Sequence, residues 1–382
     1  MTSKQIHVAE YFAGIGLARV GLEAAGFAVS WSNDLSEKKR RLFEARFEVG
    51  APHHTYHLGD LRDVTAADIP ADVRVAWASF PCTDLSVAGS GGGIHVGGSA
   101  AFWAFARNLA HLGRRRPDVV AIENVSGLVT NRQGKDLRTV IRVLNGLGYS
   151  VDLLSIDARH FVPQSRPRVF IIGEAGFGQR DEFGPQPWEQ SSLRMPAFAP
   201  FFADPSLKMH HRKLPALPPA LDDGLASAVD DLPSSSDKWW RADRVASFIQ
   251  SLSPLQASRL HSLQQSERVH FRAAYRRMRA GVARWEVRAD GLAGCLRTAR
   301  GGSSRQALVR IEGTEVRVRW MTGREYGRLM GAPEVDLVGF SESELMWGFG
   351  DAVCVPAVEW LGRNYLLPAA EDAAQLRLAL TA

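Results

Sequence analysis

Hydrophobic and polar residues follow two different periods along the first half of the chain. Short apolar runs of strand length predict strands over residues 6–12, 27–31, 73–78, 119–122 and 169–172. Between these runs, apolar residues recur every three or four positions and predict helices over 17–25, 101–112 and 137–147. Strands that alternate with helices indicate an α/β fold that is doubly wound around a mostly parallel sheet. Ligands of such folds lie beyond the carboxyl ends of the strands.

The pattern changes after the last of these strands. Nine of the 19 prolines lie between positions 185 and 233, which favours irregular backbone there. Helical spacing returns over 239–249 and 255–264, and 353–361 predicts a helix that rejoins the first part of the chain. We therefore expect a first domain at 1–175, a smaller second domain at 176–305, and a C-terminal segment at 306–382 that returns to the first domain.

The composition, 45% hydrophobic and 23% charged, is that of a soluble globular protein with a real core. No stretch approaches the roughly 20 uncharged apolar residues that cross a bilayer, and the amino terminus lacks the apolar segment of a secretion signal. The three cysteines, Cys82, Cys295 and Cys354, are far apart, which disfavours a disulfide framework and a metal site. We expect a monomer in the reducing cytoplasm, with no membrane association.

Positive charge is concentrated in one segment. Residues 259–319 hold 14 arginines and no lysine against five acidic residues, so this segment carries +9 while the whole chain carries +5. Such asymmetry favours a polyanion-binding segment on a near-neutral body, with Arg297, Arg300 and Arg305 as candidate phosphate contacts. The alternative is a solvated surface in an arginine-rich sequence. Charge therefore favours nucleic acid as the partner.

A turn with two glycines follows the first predicted strand. Gly14 and Gly16 let a ligand approach the backbone, where the next helix offers free N–H groups. Asp34 ends the second strand 20 residues after Gly14, the usual place for a carboxylate that binds a ribose diol. Position 19 is Arg19 and not the third glycine of a dinucleotide fingerprint, so a nucleoside cofactor without a pyrophosphate is favoured. Asp60 ends a third strand and could bond an adenine amine, although a lone loop acid is more often a turn or helix-cap residue.

Cys82 follows the strand at 73–78 and is therefore predicted to lie at the carboxyl-end edge of the sheet. A lone cysteine beside a strand is usually a small buried hydrophobe. Here Pro81 fixes the backbone before it and Ser86 lies four residues further on. Six glycines between 89 and 98 then indicate a flap over a site, because such a stretch cannot form core. These features favour a reactive thiol.

Two further polar pairs fall at predicted strand ends. Glu123 and Asn124 end the strand that follows, where they can serve as an acid and an orienting amide beside a thiol. The alternative is a strand-end acid followed by a turn-forming amide. Arg166 and Arg168 precede the strand at 169–172 and bring two cations to the same edge, or else form a salt-bridged surface.

Short motifs follow one another in a fixed order along the chain. They are Phe12-Ala13-Gly14-Ile15-Gly16, Asn33-Asp34, Gly59-Asp60, Phe80-Pro81-Cys82 with Ser86, Glu123-Asn124-Val125, Pro163-Gln164-Ser165-Arg166-Pro167-Arg168, Arg324-Glu325 with Arg328-Leu329-Met330-Gly331, and Gly350-Asp351-Ala352-Val353. In this order and spacing they resemble the carbon-5 cytosine DNA methyltransferase family. The resemblance covers about 1–175 and 295–365 and is highly specific.

The resemblance implies the Rossmann-like fold of S-adenosylmethionine-dependent methyltransferases, with a second, smaller target-recognition domain. The cofactor residues that it implies are Phe12, Gly14, Ile15, Gly16, Asp34, Leu35, Asp60, Leu61, Pro81, Asp351 and Ala352. The catalytic residues that it implies are Cys82, Glu123, Asn124, Arg166 and Arg168. Ser86 would lie beside the DNA, and residues 176–305 would recognise the target sequence.

The resemblance also implies individual roles. Phe12 would lie against the adenine and Asp34 would hold the ribose hydroxyls. Asp60 would contact the adenine, Glu123 would face the N3 edge of the target base, and Arg168 would help to anchor that base. We therefore expect S-adenosylmethionine as the cofactor and double-stranded DNA as the partner.

The implied reaction is physically coherent. Addition of a thiolate at carbon 6 of cytosine makes carbon 5 nucleophilic enough to accept a methyl group, and the base must first leave the stacked duplex. We expect a nucleoid-associated DNA (cytosine-5-)-methyltransferase that functions beside a restriction endonuclease or another defence protein. The alternatives are a transfer-RNA cytosine-5 methyltransferase and a catalytically silent DNA-binding protein of the same fold. A nicotinamide-dependent oxidoreductase is disfavoured by Arg19.

Overall fold

The computed structural model describes seven stretches of the chain, residues 5–47, 52–81, 101–176, 193–279, 281–298, 305–332 and 338–381. The described strands, in chain order, are β1 (His7–Tyr11), β2 (Ala28–Asp34), β3 (Thr55–Leu58), β4 (Val73–Ala78), β5 (Val119–Val125), β6 (Tyr149–Asp157), β7 (Pro167–Ala175), β8 (His270–Arg279), β9 (Val282–Val287), β10 (Ala307–Glu312) and β11 (Glu315–Trp320). The described helices are α1 (Leu17–Ala24), α2 (Glu37–Glu44), α3 (Ala101–His111), α4 (Gly127–Thr130), α5 (Lys135–Gly146), α6 (Ala199–Phe202), α7 (Ala242–Gln250), α8 (Pro254–Gln264), α9 (Gly323–Leu329), α10 (Glu342–Asp351), α11 (Val355–Leu361) and α12 (Leu367–Thr381).

The chain divides by its internal contacts into two compact units. The first unit contains Met1–Asp157, Pro167–Pro218 and Val355–Ala382. The second unit contains Ala158–Arg166 and Pro219–Cys354. This division differs from the boundaries expected after residues 175 and 305, because 193–218 belongs to the first unit and 306–354 to the second.

Within its described residues, the first unit holds a seven-stranded sheet in the order β3-β2-β1-β4-β5-β7-β6. Strands β1 to β5 run parallel to one another, and β7 runs antiparallel to both β5 and β6. Every residue of β4 except Arg74 is buried, as is usual when helices cover both faces of a parallel sheet. The predicted α/β fold with a mostly parallel sheet is therefore confirmed.

Buried ion pairs explain why residues 193–218 belong with the sheet. Arg194 bonds the carboxylate of Asp152 on β6 through Nε at 3.2 Å and Nη2 at 2.6 Å. Arg212 binds both oxygens of Glu174 on β7, at 2.7 and 2.6 Å. Burying the acidic Asp152 is tolerable only because its charge is compensated. Strand β6 was not predicted, and its buried polar residues obscure the apolar pattern that marks the other strands.

The second unit holds, among its described residues, an antiparallel sheet in the order β11-β10-β8-β9. Its core packs Phe248 of α7 and Leu260 of α8 against Val309 and Val318. Much of the arginine-rich segment thus forms strands, β8 to β11. No helix in the described part of either unit is both long and apolar enough to span a bilayer.

Candidate active site

Four parallel strands bring their carboxyl ends to one edge of the first sheet. The register pairs Tyr11 at the end of β1 with Asn33 and Ala78, and Ala78 in turn with Ile122. The segments that follow these positions contain the predicted residues Gly14, Asp34, Pro81 and Glu123. Parallel pairing therefore gathers polar groups that are far apart in the sequence.

The loop after β1 has a backbone shaped for a ligand. Gly14 and Gly16 have φ angles of +59° and +78°, and Phe12 has a φ of +57°, which is uncommon for a residue other than glycine. A Cβ on Gly16 would lie 2.5 Å from the ring of Phe47, so packing requires glycine there. A Cβ on Gly14 would meet nothing closer than 3.9 Å, which leaves room above this residue. Strain of the kind seen at Phe12 concentrates at binding and active sites.

Asp34 ties this loop to β2. Its carboxylate, which is buried, accepts the N–H of Gly14 through Oδ2 at 2.8 Å and the N–H of Ser36 through Oδ1 at 2.8 Å. An ionised carboxylate has about four acceptor sites, and these two bonds use two of them; a ribose contact by Asp34 stays a prediction. Leu35 follows with 70% of its surface exposed, an apolar side chain beside this polar group. Ile15, by contrast, is buried in the core.

Asp60 has a partner inside its own turn. Its carboxylate accepts the backbone N–H of Arg62 at 2.8 Å and the Arg62 guanidinium at 3.0 and 2.6 Å. The hydrogen bonds from Arg62 hold the pKa of this carboxyl below its ordinary value. The geometry is that of the turn alternative, and an adenine contact by Asp60 stays a prediction. Leu61 beside it is buried.

Asn33 contributes to the site edge in a way that sequence reasoning missed. Its Nδ2 donates to the carbonyls of His57 and Gly59, both at 2.9 Å, and so fixes the loop that carries Asp60 against the end of β2. The signal available in the sequence was a polar amide near the end of a strand, at a position that is buried in the fold.

Glu10 is a second residue that sequence reasoning missed. This β1 side chain is fully buried, and its carboxyl accepts the N–H of Arg19 at the start of α1 at 3.2 Å and the hydroxyl of Ser32 at 3.0 Å. Burial raises its pKa from 4.5 to about 8. A carboxyl in an apolar strand is unusual, and Glu10 holds the helix that follows the glycine loop.

We expect Glu10 to make the protein less stable as pH rises from about 4.5 to about 8. The unfolded chain loses this proton near pH 4.5 while the folded chain keeps it to about pH 8, so the free energy of unfolding falls by up to about 1.4 kcal/mol per pH unit in that window. Glu10→Gln removes the proton exchange but keeps one acceptor. Urea unfolding from pH 5 to pH 8 should show a flatter profile for this variant, and an equal slope in both proteins would refute the assignment.

Asn124 links the end of β5 to the segment that leads to Cys82. Its Nδ2 donates to the carbonyl of Phe80 at 3.2 Å, and its Oδ1 accepts the N–H of Val125 at 2.9 Å. Both donor and acceptor are used, and the side chain is buried. Asn124 thus fixes the backbone at Phe80, its predicted role in catalysis stays a prediction, and Cys82 and Ser86 lie outside the described residues. Pro81, the last described residue before Cys82, is exposed.

Glu123 and Arg168 form an ion pair at the same edge. Arg168 Nε lies 2.9 Å from Glu123 Oε1, and the two side chains are only 15% and 10% exposed. The antiparallel pairing of β5 with β7 sets this contact, because Asn124 lies opposite Val169. A pair so far removed from water costs desolvation energy, unlike the exposed salt bridge considered for Arg168. The structure brings these two predicted residues together.

Arg166 has a different environment, within the second unit. Its Nη1 donates to the carbonyl of Leu296 at 2.8 Å and its Nη2 to the carbonyl of Ala352 at 2.6 Å, and the side chain is buried. Gln164 is also buried and donates to the carbonyl of Leu329 at 2.6 Å. In this structure Arg166 therefore holds backbone segments of its own unit, and its predicted catalytic role stays a prediction.

The remaining predicted residues also belong to the second unit. Asp351 is exposed at the end of α10, and Arg297 is exposed after the segment that binds Arg166. Arg305 is partly buried, with its guanidinium 4.9 Å from the ring centre of Trp320. Arg300 lies outside the described residues. Arg305 is thus part of an aromatic cluster, which charge alone did not indicate.

Similarity to known proteins covers nearly the whole chain. The family described as C-5 cytosine-specific DNA methylase matches residues 6–366. The type II methyltransferase M.HpaII of Haemophilus parainfluenzae is 25% identical over 375 residues, which cover 94% of this chain and 88% of the relative. M.NgoBI of Neisseria gonorrhoeae is 32% identical over 165 residues, or 43% of this chain and 49% of the relative. The match to M.NgoBI therefore spans about half the length of that curated relative, as does the match to M.Bsp6I at 52%.

Solved structures share the fold. The Dnmt2 methyltransferase of S. pombe superimposes with a TM-score of 0.57 at 16% identity, over 96% of this chain and 99% of that one. A putative DNA modification methyltransferase encoded within a prophage of E. coli gives 0.55 at 15% identity, over 94% and 98%. At these identities the likeness shows the fold alone.

Proposed function

Because this chain belongs to the C-5 cytosine-specific DNA methylase family, we propose that it transfers a methyl group to carbon 5 of a cytosine in a specific duplex DNA sequence. One observation carries the proposal. The buried Glu123–Arg168 pair and the Asn124–Phe80 hydrogen bond lie at the strand edge from which the chain continues into Pro81 and Cys82. An acid, an oriented cation and a thiol are the groups that addition to a pyrimidine ring requires.

S-adenosylmethionine is the cofactor that we propose. The open space above Gly14, the unused acceptor sites of Asp34 and the exposed Leu35 fit a nucleoside with an apolar ring and a ribose diol. We assign Phe12, Asp60, Leu61 and Pro81 to the same site by family pattern. The assignments of Asp351 and Ala352 are likewise proposals. Bound S-adenosylmethionine supplies an electrophilic methyl group.

In the reaction that we propose, the side chains of Cys82, Glu123 and Arg168 act on the target cytosine. The Cys82 thiolate forms a bond to carbon 6 of the flipped cytosine, and Glu123 protonates N3, so that electron density moves to carbon 5. Arg168 holds the Glu123 carboxyl and anchors the base. After carbon 5 is methylated, it loses its proton to a base, the double bond between carbons 5 and 6 re-forms as the Cys82 sulfur leaves as a thiolate, and N3 returns its proton to Glu123. Flipping the base out of the duplex costs a few kcal/mol.

DNA contacts outside this site are also proposals. We assign phosphate contacts to Arg297, Arg300 and Arg305 and a position beside the DNA to Ser86. We further propose that the protein functions as a monomer in the cytoplasm, beside a restriction endonuclease or another defence protein.

Methyl transfer from labelled S-adenosylmethionine to duplex DNA, transfer RNA and single-stranded DNA tests the function directly. We expect label in duplex DNA containing the target sequence, and bisulfite sequencing of a host genome that expresses the chain should identify that sequence. Label in transfer RNA alone would favour the RNA methyltransferase alternative. Tight DNA binding without any label would favour the catalytically silent alternative.

A further inference from the structure

The β8–β9 hairpin extends beyond the rest of the second sheet. Strand β10 pairs with β8 only from His270 to Ala274, and from Tyr275 to Arg279 the described partner of β8 is β9 alone. Five residues at about 3.4 Å each form a two-stranded ribbon roughly 17 Å long. The major groove of DNA, about 12 Å wide and 8.5 Å deep, admits such a ribbon.

The described arginine side chains of this ribbon outnumber the acidic side chains that pair with them. Arg277 lies directly opposite Arg284, and like charges in directly opposed positions destabilise a sheet. Glu286 forms an ion pair with Arg277 at 3.4 Å. Arg276 and Arg284 are both exposed, and neither makes an ion pair within the described stretches of the chain. The ribbon therefore carries exposed cations that are available to an external anion.

The other hairpin of the same sheet provides an internal comparison. On β10 and β11, Arg310 pairs with Glu312 at 2.6 Å and Arg317 pairs with Glu315 at 2.7 Å. In that hairpin Arg310 also lies directly opposite Arg317, but each has an acidic partner, whereas Arg276 and Arg284 of the β8–β9 ribbon form no ion pair within the described stretches of the chain. An arginine-rich composition alone would not produce this difference.

Arg277 is restrained and yet accessible. The ion pair with Glu286 and a ring contact with Tyr275, whose centre lies 4.9 Å from the guanidinium, limit its rotamers, while 53% of the side chain stays exposed. A guanidinium held in this way loses little entropy when it binds. Near it, Met278 and Val282 are 63% and 54% exposed, which gives the ribbon an apolar end.

We propose that the β8–β9 ribbon enters the major groove of the target and that Arg277 reads a guanine there. The proposal rests on the proposed function, since it takes duplex DNA as the substrate. Bidentate bonding of arginine to O6 and N7 of guanine is the commonest specific contact in that groove, and apolar groups contact the thymine methyl. Arg276 and Arg284 neutralise phosphates on the flanking strands, and Glu286 is a positioning residue for Arg277.

Two measurements test the proposal, selection of bound duplexes from a randomised pool and bisulfite sequencing of expressing cells. In Arg277→Gln, we expect preference for one guanine to fall about 5- to 150-fold, because one bidentate contact contributes about 1–3 kcal/mol of discrimination. In Arg284→Gln, the recognised sequence should stay the same while affinity falls and the salt slope decreases by about 0.9. Arg317→Gln, on the paired hairpin, is the matched control and should change neither property.

An unchanged recognised sequence in Arg277→Gln would overturn the proposal, even if its affinity fell uniformly. Should that variant melt at a much lower temperature than the wild type, Arg277→Lys replaces it, because lysine keeps the charge but lacks the bidentate fork. Measurements on the wild-type protein distinguish a failure of the proposed function from a failure of the proposed role of Arg277. If it binds a defined sequence without methylating it, the proposed function fails and the selection still decides the role of Arg277.

Discussion

Cys82→Ala should abolish methyl transfer to duplex DNA while leaving DNA binding within a few-fold of the wild type. Removing a covalent nucleophile typically costs on the order of 10⁴-fold or more in kcat, because no alternative path activates carbon 5. Binding should survive, since in the proposed reaction the thiol bonds only to the target base. Single-turnover transfer of labelled methyl and fluorescence anisotropy with target duplex measure the two quantities separately.

Cys295 provides the matched control for that experiment. It is a partly buried thiol in the second unit, outside the segment proposed to hold the nucleophile, so Cys295→Ala should retain most activity. Duplex containing 5-fluorocytosine at the target should trap a covalent complex with the wild type and with Cys295→Ala, but not with Cys82→Ala. Full turnover by Cys82→Ala, or equal trapping by all three proteins, would exclude the proposed nucleophile.

Glu123→Gln should lower kcat by about 10²- to 10⁴-fold, the usual contribution of a positioned general acid. The glutamine keeps the size of the side chain but cannot supply a proton to N3. Arg168→Ala should act differently, because it leaves the buried Glu123 carboxylate without its partner. Breaking a buried pair in this way costs about 3–5 kcal/mol of stability, so this variant should also melt at a lower temperature.

Glu359→Gln serves as the control for charge removal at an exposed ion pair. Glu359 pairs with Arg363 one helical turn away on the surface of the first unit. Such pairs contribute about 0–1 kcal/mol, so neither kcat nor melting temperature should change measurably. If Glu123→Gln were as active as Glu359→Gln, Glu123 would be a structural residue and not the acid.

Local patterns predicted the parallel part of the first sheet well. The run at 73–78 became β4 without change of bounds, and the helix over 17–25 became α1. These elements are buried on the faces that the apolar spacing indicated. Strand β6 was missed because its polar positions, Asp152 among them, are satisfied by residues about 40 to 60 positions away along the chain.

The arginine-rich segment was interpreted as charge and not as structure. On β11, Arg317 and Arg319 alternate with valines, whereas Arg276 and Arg277 of β8 are adjacent, so these strands share no regular apolar period. The packing of Arg305 on Trp320 was equally hidden, because it joins a loop residue to the end of a distant strand. The net charge calculated from the sequence located the positive segment. It could not show which of the arginines form ion pairs in the folded protein.

The sequence by itself determined the α/β class, the strand-end positions of Asp34 and Glu123, and the family resemblance, since all three depend on local periodicity and on motif order. The tertiary structure decided which groups meet. Only the antiparallel placement of β7 beside β5 puts Arg168 on Glu123, and only the register of β8 with β9 puts Arg277 opposite Arg284. These contacts depend on strand pairing between distant segments, which the free energy of the whole fold selects and no local window of residues encodes.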